Sequence, residues 1–214
     1  MSRAETEALR DRLIGAALAH VPFDGWTIQA LRRAAADLGL SDAEAENAFP
    51  DGPADLVGHF VERADRHMLE ALAERNLAAL KVRERISTAI RLRLEPLTPH
   101  REAVRRAVTF LALPPYYGLA LKLLYRTVDA IWYAAGDTST DYNFYTKRAL
   151  LAAVYSATLL YWLDDRSPAS ADSWAFLDRR LADVMRVPQT LGRIRGLVPD
   201  VFGIVGRLRR ASGR

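Results

Sequence analysis

Apolar residues recur three and four positions apart along almost the whole 214-residue chain, and runs that alternate apolar with polar are nearly absent. A helix, at 3.6 residues per turn, buries such a pattern as one stripe, whereas a strand needs a period of two. The pattern predicts an all-α protein. Proline and glycine divide it into about ten helices, near 4–21, 27–38, 42–49, 53–76, 79–95, 100–112, 116–135, 141–164, 171–186 and 189–211. The expected breaks are Pro22, Gly39, Pro50 to Pro53, Pro96 to Pro99, Pro114 and Pro115, Gly136, Pro168 and Pro188. Three units follow: an N-terminal bundle over 1–60, a helical body over 61–186 and a basic C-terminal amphipathic helix over 187–214.

The stretch "TIQALRRAAADLGLSDAEAENAF" reads as a helix, a turn at Gly39 and a second helix opened by Ser41. Ser41 and Glu44 have the spacing of a capping box. This is a helix-turn-helix, and with the long helix expected after Pro53 it resembles the start of a TetR-type repressor. A DNA reader gains affinity by neutralising phosphates and commonly reads bases with Arg, Lys, Asn or Gln. Here the second helix offers Asp42, Glu44, Glu46 and Asn47, and no cation lies between Arg33 and Arg63. The expectation is a structural helix pair that binds no nucleic acid, with a TetR-type ligand-responsive transcriptional regulator as the alternative.

Catalytic chemistry is hard to find. Zero cysteines exclude disulfides, thiolate catalysis and Cys-ligated metals. The four histidines, at 20, 59, 67 and 100, lack metal-ligand spacing. Neither a phosphate-cradling glycine loop nor a nucleophile elbow is present. The reading is no enzyme, no catalytic residue, no metal and no cofactor.

The most apolar segments are 116–135 and 141–164, apolar nearly all round and expected to be central. Leu119, Leu123, Ile131 and Trp132 from the first, with Tyr145, Leu151, Tyr155, Leu159 and Trp162 from the second, either line a long lipid-binding cavity or pack against one another. In the first case Tyr and Trp supply polar handles for a head group. The longest apolar run, Ala149 to Leu163, falls short of the ~20 residues of a membrane-spanning helix.

Positive charge is concentrated at one end. The chain carries +4 overall, yet residues 186–214 alone hold seven arginines against Asp200. Leu191, Ile194, Val198, Val201, Phe202, Val205 and Leu208 form an apolar stripe there, and Arg193, Arg207 and Arg210 lie off it. Four glycines and Pro199 weaken this helix in water. Such a helix suits an anionic bilayer surface; packing onto the body or a second copy is the competing reading, and the charge favours the membrane. The opening residues carry Glu5, Glu7 and Asp11 before any apolar stretch, unlike a secretory signal or an acid-poor presequence, so a cytoplasmic chain peripheral to the inner membrane is expected.

The string "GDTSTDYNFYTKR" after Gly136 holds five candidate capping residues in a row, more than one helix needs. In its wider context, "YAAGDTSTDYNFYTKRALLAAVYSATLLYWLDDRSP" followed by "DSWAFLDRRLADVM", it closely resembles the ubiquinone-biosynthesis accessory lipid-binding family, coenzyme Q biosynthesis protein nine and its bacterial homologues. The likeness is strong over 129–186 and looser over the whole chain. It implies a TetR-like fold and non-catalytic binding of an isoprenoid lipid; the expected partners are an isoprenoid quinone or a phospholipid, a membrane surface and a second copy in a homodimer. It also implies a di-iron partner, the demethoxyubiquinone hydroxylase, to which the lipid is presented. By the same resemblance Trp174 belongs to the surface that docks this hydroxylase; the alternative is core packing in phase with Leu177, Leu181 and Val184. The absence of a transit peptide at the start points to a bacterial member.

Overall fold

The computed structural model describes residues 2–136 and 143–195. Among them are nine α-helices and short 3-10 turns, with no strand. The helices are α1 (Arg3–Asp24), α2 (Ile28–Asp37), α3 (Asp42–Ala48), α4 (Pro53–Ala73), α5 (Val82–Leu94), α6 (Arg101–Leu111), α7 (Tyr117–Ala134), α8 (Asn143–Asp164) and α9 (Ala171–Arg195).

The helix-turn-helix forms as its residues dictate. Gly39 takes a left-handed φ of 68°, and the turn closes as Leu40 N–H donates to the Ala35 carbonyl and Gly39 N–H to that of Ala36. The next helix opens on the expected box: Glu44 N–H donates to Ser41 Oγ at 3.3 Å, and Ser41 N–H to the Glu44 carboxylate at 2.9 Å.

Two prolines do not end their helices. Pro22 lies in the last turn of α1, and α9 runs through Pro188 to Arg195, so the expected break between 186 and 189 is absent. A proline lacks the N–H that would bond four residues back; this local loss does not stop a helix whose turns on both sides are otherwise intact.

The N-terminal helices and the body share one core. Helix α4 passes uninterrupted across position 60, its Phe60 ring centred 4.8 Å from that of Trp26. The Trp26 indole N–H donates to the Ala103 carbonyl on α6 at 3.0 Å, with Trp26 buried. Beyond this junction α4, α5, α7, α8 and α9 pack side by side as the body.

The turn between α8 and α9 is organised by one carboxylate. Asp165 accepts Ser167 N–H at 2.7 Å, Ser173 N–H at 2.9 Å and the Ser173 hydroxyl. Ala169 and Ser170 are left-handed, at φ 50° and 56°, and the Ala169 carbonyl is held by the Trp174 indole N–H at 2.9 Å. Burial alone would raise the Asp165 pKa, but the bonds from Ser173 and Ser167 outweigh it and hold it at about 2. A carboxyl depressed in the folded state adds stability that is complete above its unfolded value near 3.8 and fades as pH falls towards 2. Asp165→Ala should therefore lower the unfolding free energy by roughly 2 kcal/mol at pH 7. In urea titrations this difference should shrink below pH 4 and vanish near pH 2.

Candidate functional site

A pocket of about 390 Å³ opens between α4, α5, α6, α7 and α8. Its walls are almost wholly apolar: Phe60 and Val61 from α4, Val104, Val108 and Leu111 from α6, Leu123 and Leu124 from α7, and Leu159 and Leu160 from α8. Tyr117 and Leu160 are exposed and mark its mouth, whereas Arg93, Thr127 and Tyr155 are buried and form its floor.

That floor is polar and connected. Arg93 Nε donates to Asp65 at 2.7 Å, and Arg93 Nη1 donates to the Tyr155 hydroxyl oxygen. The Thr127 hydroxyl donates to the same carboxylate at 3.0 Å. Asp65 sits behind the other three, outside the lining. Burial raises the Tyr155 pKa above 10, and nearby Asp65 adds to this against the opposing pull of Arg93, so the phenol keeps its proton.

The nine expected lipid-binding residues separate. Leu123, Tyr155 and Leu159 line the pocket. Leu119 faces a neighbouring depression beside Lys122, Asp55 and His59. Ile131, Trp132, Leu151 and Trp162 are buried in the core, away from the cavity wall. The Trp132 indole N–H donates to the Lys147 carbonyl, tying α7 to α8, and Trp162 lies under the Arg101 guanidinium. Tyr145 is 72% exposed. Nor are α7 and α8 buried all round: Tyr117, Leu121, Tyr125 and Tyr133 on α7 and Leu160 and Tyr161 on α8 are exposed, because the neighbouring helices cover only one side of each.

Trp174, which the resemblance assigns to a docking surface, is largely buried. It is 7% exposed and packs in the core with Leu177 and Leu181, its indole bonded to the turn before α9 and facing Arg91. Of the expected membrane-binding residues, Leu191, Arg193 and Ile194 fall in the last turns of α9, and Val198, Val201, Phe202, Val205, Arg207, Leu208 and Arg210 lie outside the described residues.

Sequence reading missed Asp65, Arg93 and the contribution of α6. A signal existed: Asp65 shares its face of α4 with Ala64, Met68 and Leu72, and Arg93 shares its face of α5 with Ile86 and Ile90. Two opposite charges on two apolar faces are expected to meet when those faces pack.

On the helix-turn-helix the few cations are spent on neighbouring acids. Arg32 reaches Glu46 at 2.8 Å and Asp42 at 3.4 Å, and Arg33 reaches Asp24 at 3.1 Å.

The chain is 37% identical to the human "Ubiquinone biosynthesis protein COQ9, mitochondrial" over 97% of its own length and 68% of that protein. The chain belongs to the COQ9 family. The rat COQ9 protein is also 37% identical, over 97% of this chain and 70% of its own length, and the Drosophila melanogaster protein 33%, over 91% and 61%. The COQ9 family model matches residues 117–188, the span of α7, α8 and most of α9. In fold the chain is similar to a TetR transcriptional regulator from Nitrosomonas europaea, with a TM-score of 0.69 and 23% identity over 83% of this chain and 98% of that one. A TetR-family regulator from Streptomyces coelicolor gives 0.55 and 20% over the full length of both. This COQ9-family chain thus has a TetR-like architecture in which the second helix of the helix-turn-helix is acidic.

Proposed function

We propose that this chain is a non-catalytic accessory protein of ubiquinone biosynthesis, which holds an isoprenoid quinone intermediate in the pocket between α4 and α8 and presents it to a di-iron demethoxyubiquinone hydroxylase at a membrane. The apolar pocket, in a member of the COQ9 family, carries this reading. Its walls suit a hydrocarbon, and its volume is at the low end for a drug-sized ligand. A long polyprenyl chain would leave by the mouth, over exposed Tyr117 and Leu160. Solvent extraction and mass spectrometry of purified protein should recover an isoprenoid or phospholipid in near-stoichiometric amount; protein that is empty in every preparation refutes the reading.

The basic tail would bring the pocket to the bilayer. Among the described residues no single helix is long and apolar enough to cross a membrane, so attachment would rest on the surface. Each arginine near an anionic surface contributes about 1 kcal/mol, and residues 196–214 hold four. Removing 196–214 should cut flotation with anionic liposomes at least tenfold while far-ultraviolet circular dichroism stays helical; unchanged flotation would overturn this role. The exposed residues Leu121 and Tyr125 on α7, one turn apart and outside the pocket lining, suit a homodimer contact.

A ligand-responsive regulator is the second reading, favoured by the TetR-like fold. The pairing of Arg32 and Arg33 with acids stands against it. A low-salt gel shift with genomic fragments separates the two, and retarded DNA would favour the regulator.

A further inference from the structure

The floor of the pocket has a chemistry that its walls do not. Three buried side chains with hydrogen-bond donors, Arg93, Thr127 and Tyr155, end a cavity whose other lining residues are apolar apart from Ser156 and, at the mouth, Tyr117, and one carboxylate behind them balances the guanidinium. If this polar group served packing alone, its capacity would be used up within the protein. It is not. Arg93 uses Nε on Asp65 and Nη1 on Tyr155, and Nη2 has no protein acceptor among the described residues. The Tyr155 hydroxyl oxygen accepts from Arg93, yet its own proton has no acceptor there either. Thr127, in contrast, is committed to Asp65. Two donors therefore remain at the bottom of the pocket without a hydrogen bond to any described residue.

We infer that this floor is a head-group subsite, in which Tyr155 and Arg93 donate hydrogen bonds to an uncharged acceptor oxygen, such as a ring carbonyl, on a ligand whose apolar part fills the pocket. The inference rests on the lipid-binding reading and adds the end of the ligand that the protein recognises. Charge decides the class. Arg93 and Asp65 cancel, so an entering carboxylate or phosphate would be a second buried anion facing a single, already paired cation. Burying such an unpaired charge is strongly unfavourable. A neutral oxygen instead satisfies the idle donors without disturbing the pair. A pure hydrocarbon leaves them unsatisfied, and each such buried group weakens binding. The subsite thus ranks ligands of one size as neutral acceptor first, hydrocarbon second and carboxylate last.

Three probes differing only in the head test this on the full chain: geranyl-1,4-benzoquinone, geranylbenzene and 4-geranylbenzoate. Binding is read by equilibrium dialysis with mass-spectrometric quantification at pH 7.5. The quinone should bind roughly tenfold tighter than geranylbenzene, the amount expected for one or two satisfied donors, and the benzoate weakest. Tyr155→Phe keeps the ring and removes one donor, so the ratio of quinone to geranylbenzene affinity, both measured on the variant, should fall to about threefold or less. Equal binding of quinone and geranylbenzene by the unaltered protein, or tightest binding of the benzoate, overturns the subsite and leaves lipid binding intact. No binding of any probe overturns both. Because the ranking is read first on the unaltered chain, the test stands even if Tyr155→Phe folds poorly.

Discussion

Arg93→Met is expected to lower the unfolding free energy by about 3–5 kcal/mol, since removing one partner of a buried ion pair leaves the other charge uncompensated. Asp65, on α4, is nearly as buried as Arg93, on α5, and among the described residues no other cation bonds to it. The Tyr155 hydroxyl loses its donor in the same step. For a chain of this size the midpoint of thermal unfolding should drop by roughly 10 °C. Calorimetry on the single variant and on Arg93→Met with Asp65→Leu distinguishes charge from packing. The double variant should regain most of the loss, because two apolar side chains of similar volume can replace a buried pair at little cost. The Thr127 hydroxyl would then turn to a carbonyl in the preceding turn of α7. If the double variant is no more stable than the single one, the buried charge is not the cause.

Trp26→Ala should remove a comparable amount, about 3–5 kcal/mol, by emptying a large side-chain volume. The consequence reaches further than one cavity. Trp26 joins the N-terminal helices to the body through Phe60 on α4 and the Ala103 carbonyl on α6. In the unaltered protein, hydrogen exchange should protect α2 and the body helices to similar levels, as one cooperative unit. In Trp26→Ala the protection of α1 to α3 should fall before that of α7 and α8. Uniform loss across all helices would instead mean that Trp26 contributes packing and not the connection. Trp26→Phe, which retains most of the apolar contact, should recover part of the loss but leave the Ala103 carbonyl without its partner.

The TetR-like likeness and the COQ9-family membership are reconciled by the charge on one helix. A helix-turn-helix fold is stabilised by its own core, here Leu31, Ala34 and Ala45 among others, and its outer face is free to change. Where a DNA reader needs cations, this chain has Asp42, Glu44 and Glu46, with Arg32 drawn onto Asp42 and Glu46. The buried core holds the helix pair together, and the acidic residues outside it do local work of their own: Glu44 closes the Ser41 cap, and Asp42 and Glu46 hold Arg32.

Most helix positions, the Ser41 box and the Gly39 turn were readable in the chain, because each depends on residues within one turn of one another, whereas the breaks expected at Pro22 and Pro188 were not borne out. The placement of Trp174 was readable too, through its phase with Leu177 and Leu181. What the chain by itself determined was its local order: its all-helical character, the Ser41 cap, the acidic second helix of the helix-turn-helix and the apolar character of α7 and α8. The tertiary structure alone decided which apolar residues line a void and which fill the core, since Leu123 and Ile131 carry the same hydropathy and differ only in what faces them. It alone decided that Asp65, 28 residues before Arg93, meets it at the bottom of the pocket. Periodicity reports that a face is buried, but the partner of that face is set by how separate helices pack, and no spacing along one helix records it.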